Sequence, residues 1–236
     1  MPLHLVAVSF DASDPAVLGA FWAGVLGREM VVEDGALLVP RLGNQVGLRF
    51  IEATTEPGPR NRLHLHVATA TADEQRRAVD TALSLGGVHQ GKKTPPLGRD
   101  NYMLDPGGNE FCVIEPGNTY LAGCGLLAEV TCDGSRETSL FWRDALEWEI
   151  VWDQDDQLAI QSPQGGTKIA WDRWPDAPTT GRNRQRFHLA AEQPEAEVER
   201  LVALGAVSLG SRGSALVLAD PGGDEFLLMR AERALA

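Results

Sequence analysis

Four short motifs occur twice in this chain in the same order, and that repetition constrains the fold more than any one of them could. Phe21-Trp22-Ala23-Gly24-Val25-Leu26 returns as Phe141-Trp142-Arg143-Asp144-Ala145-Leu146, and Arg62-Leu63-His64-Leu65 returns as Arg186-Phe187-His188-Leu189. Leu85-Gly86-Gly87-Val88 is matched by Leu204-Gly205-Ala206-Val207, and Asp105-Pro106-Gly107-Gly108-Asn109-Glu110-Phe111 by Asp220-Pro221-Gly222-Gly223-Asp224-Glu225-Phe226. Conserved order with drifting spacing implies two homologous halves whose loops differ in length. The Pro116-Gly117-Asn118 turn is the natural boundary, dividing the chain into residues 1–117 and 118–236.

Each half divides again. Leu3 to Phe10 reads as a buried strand, and Asp14-Pro15 as a helix start, because the carboxylate can cap free N–H groups where proline misses none. That helix should end near Gly27, before short apolar stretches at Glu29–Val32, Leu37–Val39 and Val46–Ile51 bounded by turn residues. Leu63–Ala68 then reads as a strand, Thr71-x-x-Glu74 as a capping box, and Gly86-Gly87 as the close of the second helix. Strands near Val88–Gln90, Asn101–Leu104 and Glu110–Glu115 complete a second β-α-β-β-β unit, and the latter half follows the same scheme with helices around Arg136–Leu146 and from Pro194 to Gly205.

Twenty-one basic residues stand against 33 acidic ones, a net charge of −12 that disfavours nucleic acid as a partner. No apolar run approaches the roughly 20 residues needed to span a bilayer. The start Met1-Pro2-Leu3-His4 lacks a signal peptide's basic and apolar regions, so no membrane role and a cytoplasmic location are expected. Cys112, Cys124 and Cys132 show no C-x-x-C spacing and are expected to be reduced.

With Phe-Trp near the end of the first helix of each half and Asp-Pro-Gly-Gly-(Asn/Asp)-Glu-Phe entering its last strand, the chain resembles the vicinal oxygen chelate superfamily. This group contains glyoxalase I, bleomycin-resistance proteins and extradiol dioxygenases, and the nearest likeness is to its glyoxalase-like domain branch. The resemblance spans essentially the whole chain. It implies an α+β fold of two tandem glyoxalase-like domains, each of two β-α-β-β-β modules forming a curled-sheet cup with helices outside. Because one chain carries four modules, a monomer suffices for the cups, and a dimer remains possible.

The family also implies metal ligands on the first and last strands of modules, His or Gln at one and Glu at the other. Those positions fall on Ala7, His64 and Cys112 in the first half and on Leu127, His188 and Leu227 in the second. Most of these cannot ligate in the usual way. In the stretches that would complete the set, Val46–Ile51 and Lys168–Asp172, the charged residues are Arg49, Lys168 and Asp172. The expectation is therefore a small-molecule binding protein without a catalytic metal or other cofactor, similar to the drug- or metabolite-sequestering branch.

The candidate ligand-binding residues are His64, His66, Glu110, Cys112 and His188, with Trp152 and Trp171 as a possible aromatic wall. Period two along a strand puts His64 and His66 on one face, and Glu110 and Cys112 on another. An alternative is a metal-dependent lyase, isomerase or dioxygenase with one divalent ion, Zn, Ni, Mn or Fe, held by His64, His66 and Glu110. Structural readings stand beside both. Arg62–Glu110 and Arg186–Glu225 could be ion pairs, Cys112 a small buried hydrophobe rather than a nucleophile, and Trp152, Trp171 and Trp174 core rather than cleft.

Overall fold

A computed structural model of the chain describes residues 3–33, 35–53, 61–91, 101–172 and 183–231. The first module runs β1 (His4–Ala12), α1 (Pro15–Leu26), β2 (Val31–Glu33), β3 (Ala36–Val39) and β4 (Gly47–Glu52). The second is β5 (Leu63–Ala68), α2 (Ala72–Ser84), β6 (Val88–Gly91), β7 (Asn101–Leu104) and β8 (Glu110–Ile114). The third is β9 (Leu127–Asp133), α3 (Arg136–Leu146), β10 (Glu149–Gln154), β11 (Gln157–Gln161) and β12 (Lys168–Asp172). The fourth is β13 (Gln185–Ala191), α4 (Pro194–Ala203), β14 (Val207–Arg212), β15 (Ala215–Ala219) and β16 (Glu225–Arg230).

Local chemistry sets these boundaries. Asp14 accepts from the Val17 amide at 3.0 Å and opens α1, and Gly27 closes it at φ 61°, a left-handed conformation that costs glycine least. Thr71 caps α2 through the Glu74 amide at 3.2 Å, and Ser135 caps α3 through Thr138 at the same distance. No helix among the described residues is long and apolar enough to cross a membrane.

The strands form two eight-stranded sheets, in the orders β14-β15-β16-β13-β1-β4-β3-β2 and β10-β11-β12-β9-β5-β8-β7-β6. The α+β class, the repeat and the curled sheets are those read from the sequence, but the partners within each sheet come from opposite halves. Modules one and four share the first sheet, and modules two and three the second, rather than one cup forming from each half. The seams are antiparallel pairs, β1 with β13 and β5 with β9. Four modules with similar apolar alternation offer several equivalent edges, and only the assembled core selects among them.

Within a half, the modules meet through helices and turns instead. The Trp22 indole N–H donates to Asp105 Oδ2 at 3.0 Å, and Trp142 repeats the contact with Asp220 at 2.9 Å. The two repeated motifs, Phe-Trp and Asp-Pro-Gly-Gly, are thus the two ends of one buried hydrogen bond. Asp105 also accepts from the amides of Gly107 and Asn109, so the carboxylate organises its own turn. Trp22 packs against Phe10, Phe21 and Phe111, and Trp142 against Phe141, Phe187 and Phe226, in one core shared by both halves.

The charged residues beside the seams also reach across. Arg186, 1% exposed, pairs with Asp11, and Arg62 Nε lies 3.2 Å from Asp224. Asp224 occupies the position of Asn109 in the first half, and the difference has a consequence. Burial and the neighbouring Asp220 push its carboxyl up to about 7, with Arg62 opposing. The unfolded carboxyl ionises near pH 4, so the folded state holds a proton that the unfolded state has lost, and stability falls as pH rises from about 4 to 7. Asp224→Asn is expected to stabilise the protein by about 1–3 kcal/mol at pH 8 and hardly at all at pH 4. Urea melts at the two pH values measure this; an equal effect at both would contradict it.

Candidate functional site

The register of the second sheet lines up four side chains across four adjacent strands. His66 on β5 is the partner of Cys112 on β8 and of Glu129 on β9, and Glu129 is the partner of Lys168 on β12. The row Lys168–Glu129–His66–Cys112 lies on the face opposite the main core, because the alternate residues Leu65, Phe111, Val130 and Ile169 point into that core. In the first sheet, the corresponding strands carry Leu227, His188, Ala7 and Gly47 in line. One row is polar, the other nearly bare.

In the polar row, His66 Nδ1 lies 2.7 Å from Glu129 Oε2, and the phenol of Tyr120 donates to Glu129 Oε1 at 2.5 Å. Thr131 adds a third contact at 3.3 Å. Burial alone would raise the Glu129 carboxyl, but the hydrogen bond and charge of His66, with the Tyr120 hydroxyl, outweigh it and hold the carboxyl below its ordinary range. Burial alone would likewise lower His66, yet Cys112 and Glu129 bring it up to about 10, so the imidazole is cationic at neutral pH. Among the described residues its Nε2 has no hydrogen-bond partner of good geometry, and the Cys112 thiol across the strand pair is the group that raises it on that side.

The segment between the halves covers this row. Tyr120 offers its backbone carbonyl to the Lys168 ammonium, which also lies 3.9 Å from the Tyr120 ring centroid. Trp152 meets the same ring edge-on at 5.4 Å. Leu121 and Cys124 pack with Tyr102, Cys112, Ile114 and Ala128 in a second, smaller apolar cluster. Asp172, one pleat from Ala170 on β12, is pushed up to about 6 by burial and by the charge of Glu129, with His66 opposing.

The cup therefore joins residues that the sequence distributes between two separate candidate sites. His64, His66, Glu110 and Cys112 come from the second module and Trp152 from the third, and all belong to the second sheet. His64 is one pleat from the row, opposite Thr131, its ring 4.9 Å from that of His66. Glu110 begins β8 on the face of Cys112, one pleat outside the row. Two expected lining residues lie elsewhere. Trp171 is 2% exposed and belongs to the main core, because β12 turns Lys168, Ala170 and Asp172 toward the cup and Ile169 and Trp171 away from it. His188 lies in the first sheet, bonded to Ser9 at 3.1 Å through Nδ1 and beside Met229 through Nε2. Trp174 lies outside the described residues.

Glu129 and Tyr120 escaped the sequence reading as site residues, and Lys168 entered it only as a charged residue in the stretch that would complete the ligand set. Glu129 did leave a signal, a lone carboxylate inside the apolar run Leu126-Leu127-Ala128-Glu129-Val130. Tyr120 left none, since nothing in a turn-rich segment announces which cup it will enter.

The glyoxalase-like domain model matches residues 7–114 and again 128–229. The chain belongs to the glyoxalase-like domain family. The sequence matches no curated protein. Among solved structures, glyoxalase I from Zea mays is similar at 15% identity and a TM-score of 0.69, over 97% of this chain and 92% of that one. A proposed dioxygenase from Bacillus subtilis follows at 15% identity and a TM-score of 0.60, over 96% and 84%. The cppA protein of Streptococcus pneumoniae, at 12% identity and 0.51, covers 96% and 98%. At these identities the likeness is one of fold.

For a glyoxalase-like protein, the row is where a metal would be tested. It carries an imidazole, a thiol and a carboxylate, but its fourth member is an ammonium, which has no lone pair to give. The imidazole and carboxylate are already bonded to each other. Among the described residues, no group of three or more His, Cys, Asp or Glu side chains is arranged to hold an ion, including His64, His66 and Glu110. These residues do not fit the family's metal.

Proposed function

We propose that the protein binds a small organic molecule in the cup of the second sheet, without a catalytic metal, in a role such as metabolite or drug sequestration. The observation that carries this reading is the seating of Tyr120. An aromatic hydroxyl already sits on Glu129, and its ring contacts both the Lys168 ammonium and Trp152. A cup with an apolar and aromatic wall and a few fixed polar groups is what a small ligand needs for affinity and orientation. One chain supplies every strand of this cup, so binding requires no second copy.

Trp152 is 37% exposed and stands at the wall, which makes it the natural reporter. Titration of planar aromatic compounds in the presence of a chelator should change tryptophan emission saturably and raise Tm, as ligand binding to the folded state must. Trp152→Phe should remove most of the emission change and leave the Tm shift. A broad panel without any change in emission or Tm would remove the reading.

A further inference from the structure

We propose that the Lys168 ammonium takes the place of the ion in this cup and grips a carbonyl or carboxylate oxygen of the ligand directly. The inference rests on the binding reading above and extends it to the chemical class of ligand. Three of the four positions in the row are held by residue types that can ligate an ion once deprotonated, His66, Glu129 and Cys112, and the fourth is held by a lysine, whose ammonium brings a fixed positive charge to the edge of the row. In the first sheet, the equivalent row of Leu227, His188, Ala7 and Gly47 has lost donors without gaining a cation. Lys168 is 8% exposed, and burying an ammonium demands compensating oxygens. It finds one in the Tyr120 backbone carbonyl, the kind of atom a ligand would present.

The charges around it are arranged accordingly. Glu129 faces Lys168 from the next strand but is engaged by His66, Tyr120 and Thr131, and Asp172 lies further along the strand of Lys168 itself. An ammonium offers three N–H groups, and among the described residues the Tyr120 carbonyl is its one hydrogen-bond acceptor, so a ligand oxygen can be met by another. It also lacks an open coordination position, which suits holding an oxygen in place.

If a lysine has replaced the fourth ligand, restoring a donor should restore the ion. Zinc, nickel and manganese, each added alone to reduced full-length protein, are titrated by calorimetry against wild type, Lys168→Glu and Lys168→His. Wild type is expected to take up no stoichiometric ion. At least one variant should bind one ion per chain at least 100-fold more tightly than wild type, and His66→Ala on that background should abolish it. The two variants differ in size and charge, and tryptophan emission reports whether each is folded.

A stoichiometric ion in wild type that is lost in His66→Ala would overturn the proposal, whatever the variants do. Folded variants as empty as wild type would also overturn it. The binding reading fails separately: aromatic ligands that bind wild type while both folded variants stay empty leave that reading intact and overturn this one, whereas ion gain without any ligand binding overturns the binding reading and with it the grip on a ligand oxygen.

Discussion

Residues 1–117 expressed alone do not fold as a monomer; that is the expected result of dividing the chain at its repeat boundary. The half contains β1 and β5 but neither of their antiparallel partners, β13 and β9, which lie in the other half. Both strands would become edges, with unpaired N–H and C=O groups from Leu5 to Phe10 and from Leu63 to Val67. Leu65 and Val8, both fully buried in the intact chain, lie on those seams, and Asp11 would lose Arg186. A half can escape only by finding another chain. It should therefore sediment as an unfolded chain or as a dimer in which a second copy supplies the missing seam, and coexpression with residues 118–236 should restore a 1:1 complex with a cooperative melt. A folded monomeric half, seen by sedimentation and a single thermal transition, would show that the seams matter less than the helix contacts of Trp22 and Asp105.

Glu129→Ala should be the most damaging single substitution in the cup, costing about 3–5 kcal/mol at neutral pH because it leaves His66 charged or desolvated without a partner. The loss includes the Tyr120 hydroxyl, which would be left without its acceptor. The pH dependence separates this from simple cavity formation. His66 is raised from about 6.5 to about 10, so its contribution is complete below pH 6.5 and is lost as pH rises through 10. Glu129 is depressed, so its contribution is present above its unfolded value near 4.3 and is lost as pH falls. Wild type should hold a plateau of pair stability between those limits. In the variant, the His66 resonance should titrate at or below its ordinary value when followed by NMR. A His66 that still titrates near 10 without Glu129 would mean that another group, not this carboxylate, holds its proton.

The sequence alone determined the repeat, the four modules and nearly every element, because caps, turns and apolar periodicity are local properties. Asp14, Gly27 and Thr71 mark helix ends wherever the helices finally pack. It also put His64, His66 and Cys112 on usable faces, since strand period survives any choice of partner. Only the tertiary structure decided which module meets which, and that choice moved the site. Pairing β5 with β9 rather than closing each half on itself brought Glu129 beside His66, made His66 rather than His64 the member of the row, and turned Trp171 inward. It also carried Tyr120 over the result. The physical reason is that register and partner are global properties: a strand's side-chain alternation says which residues share a face, but the neighbour across that face is chosen by the whole core at once.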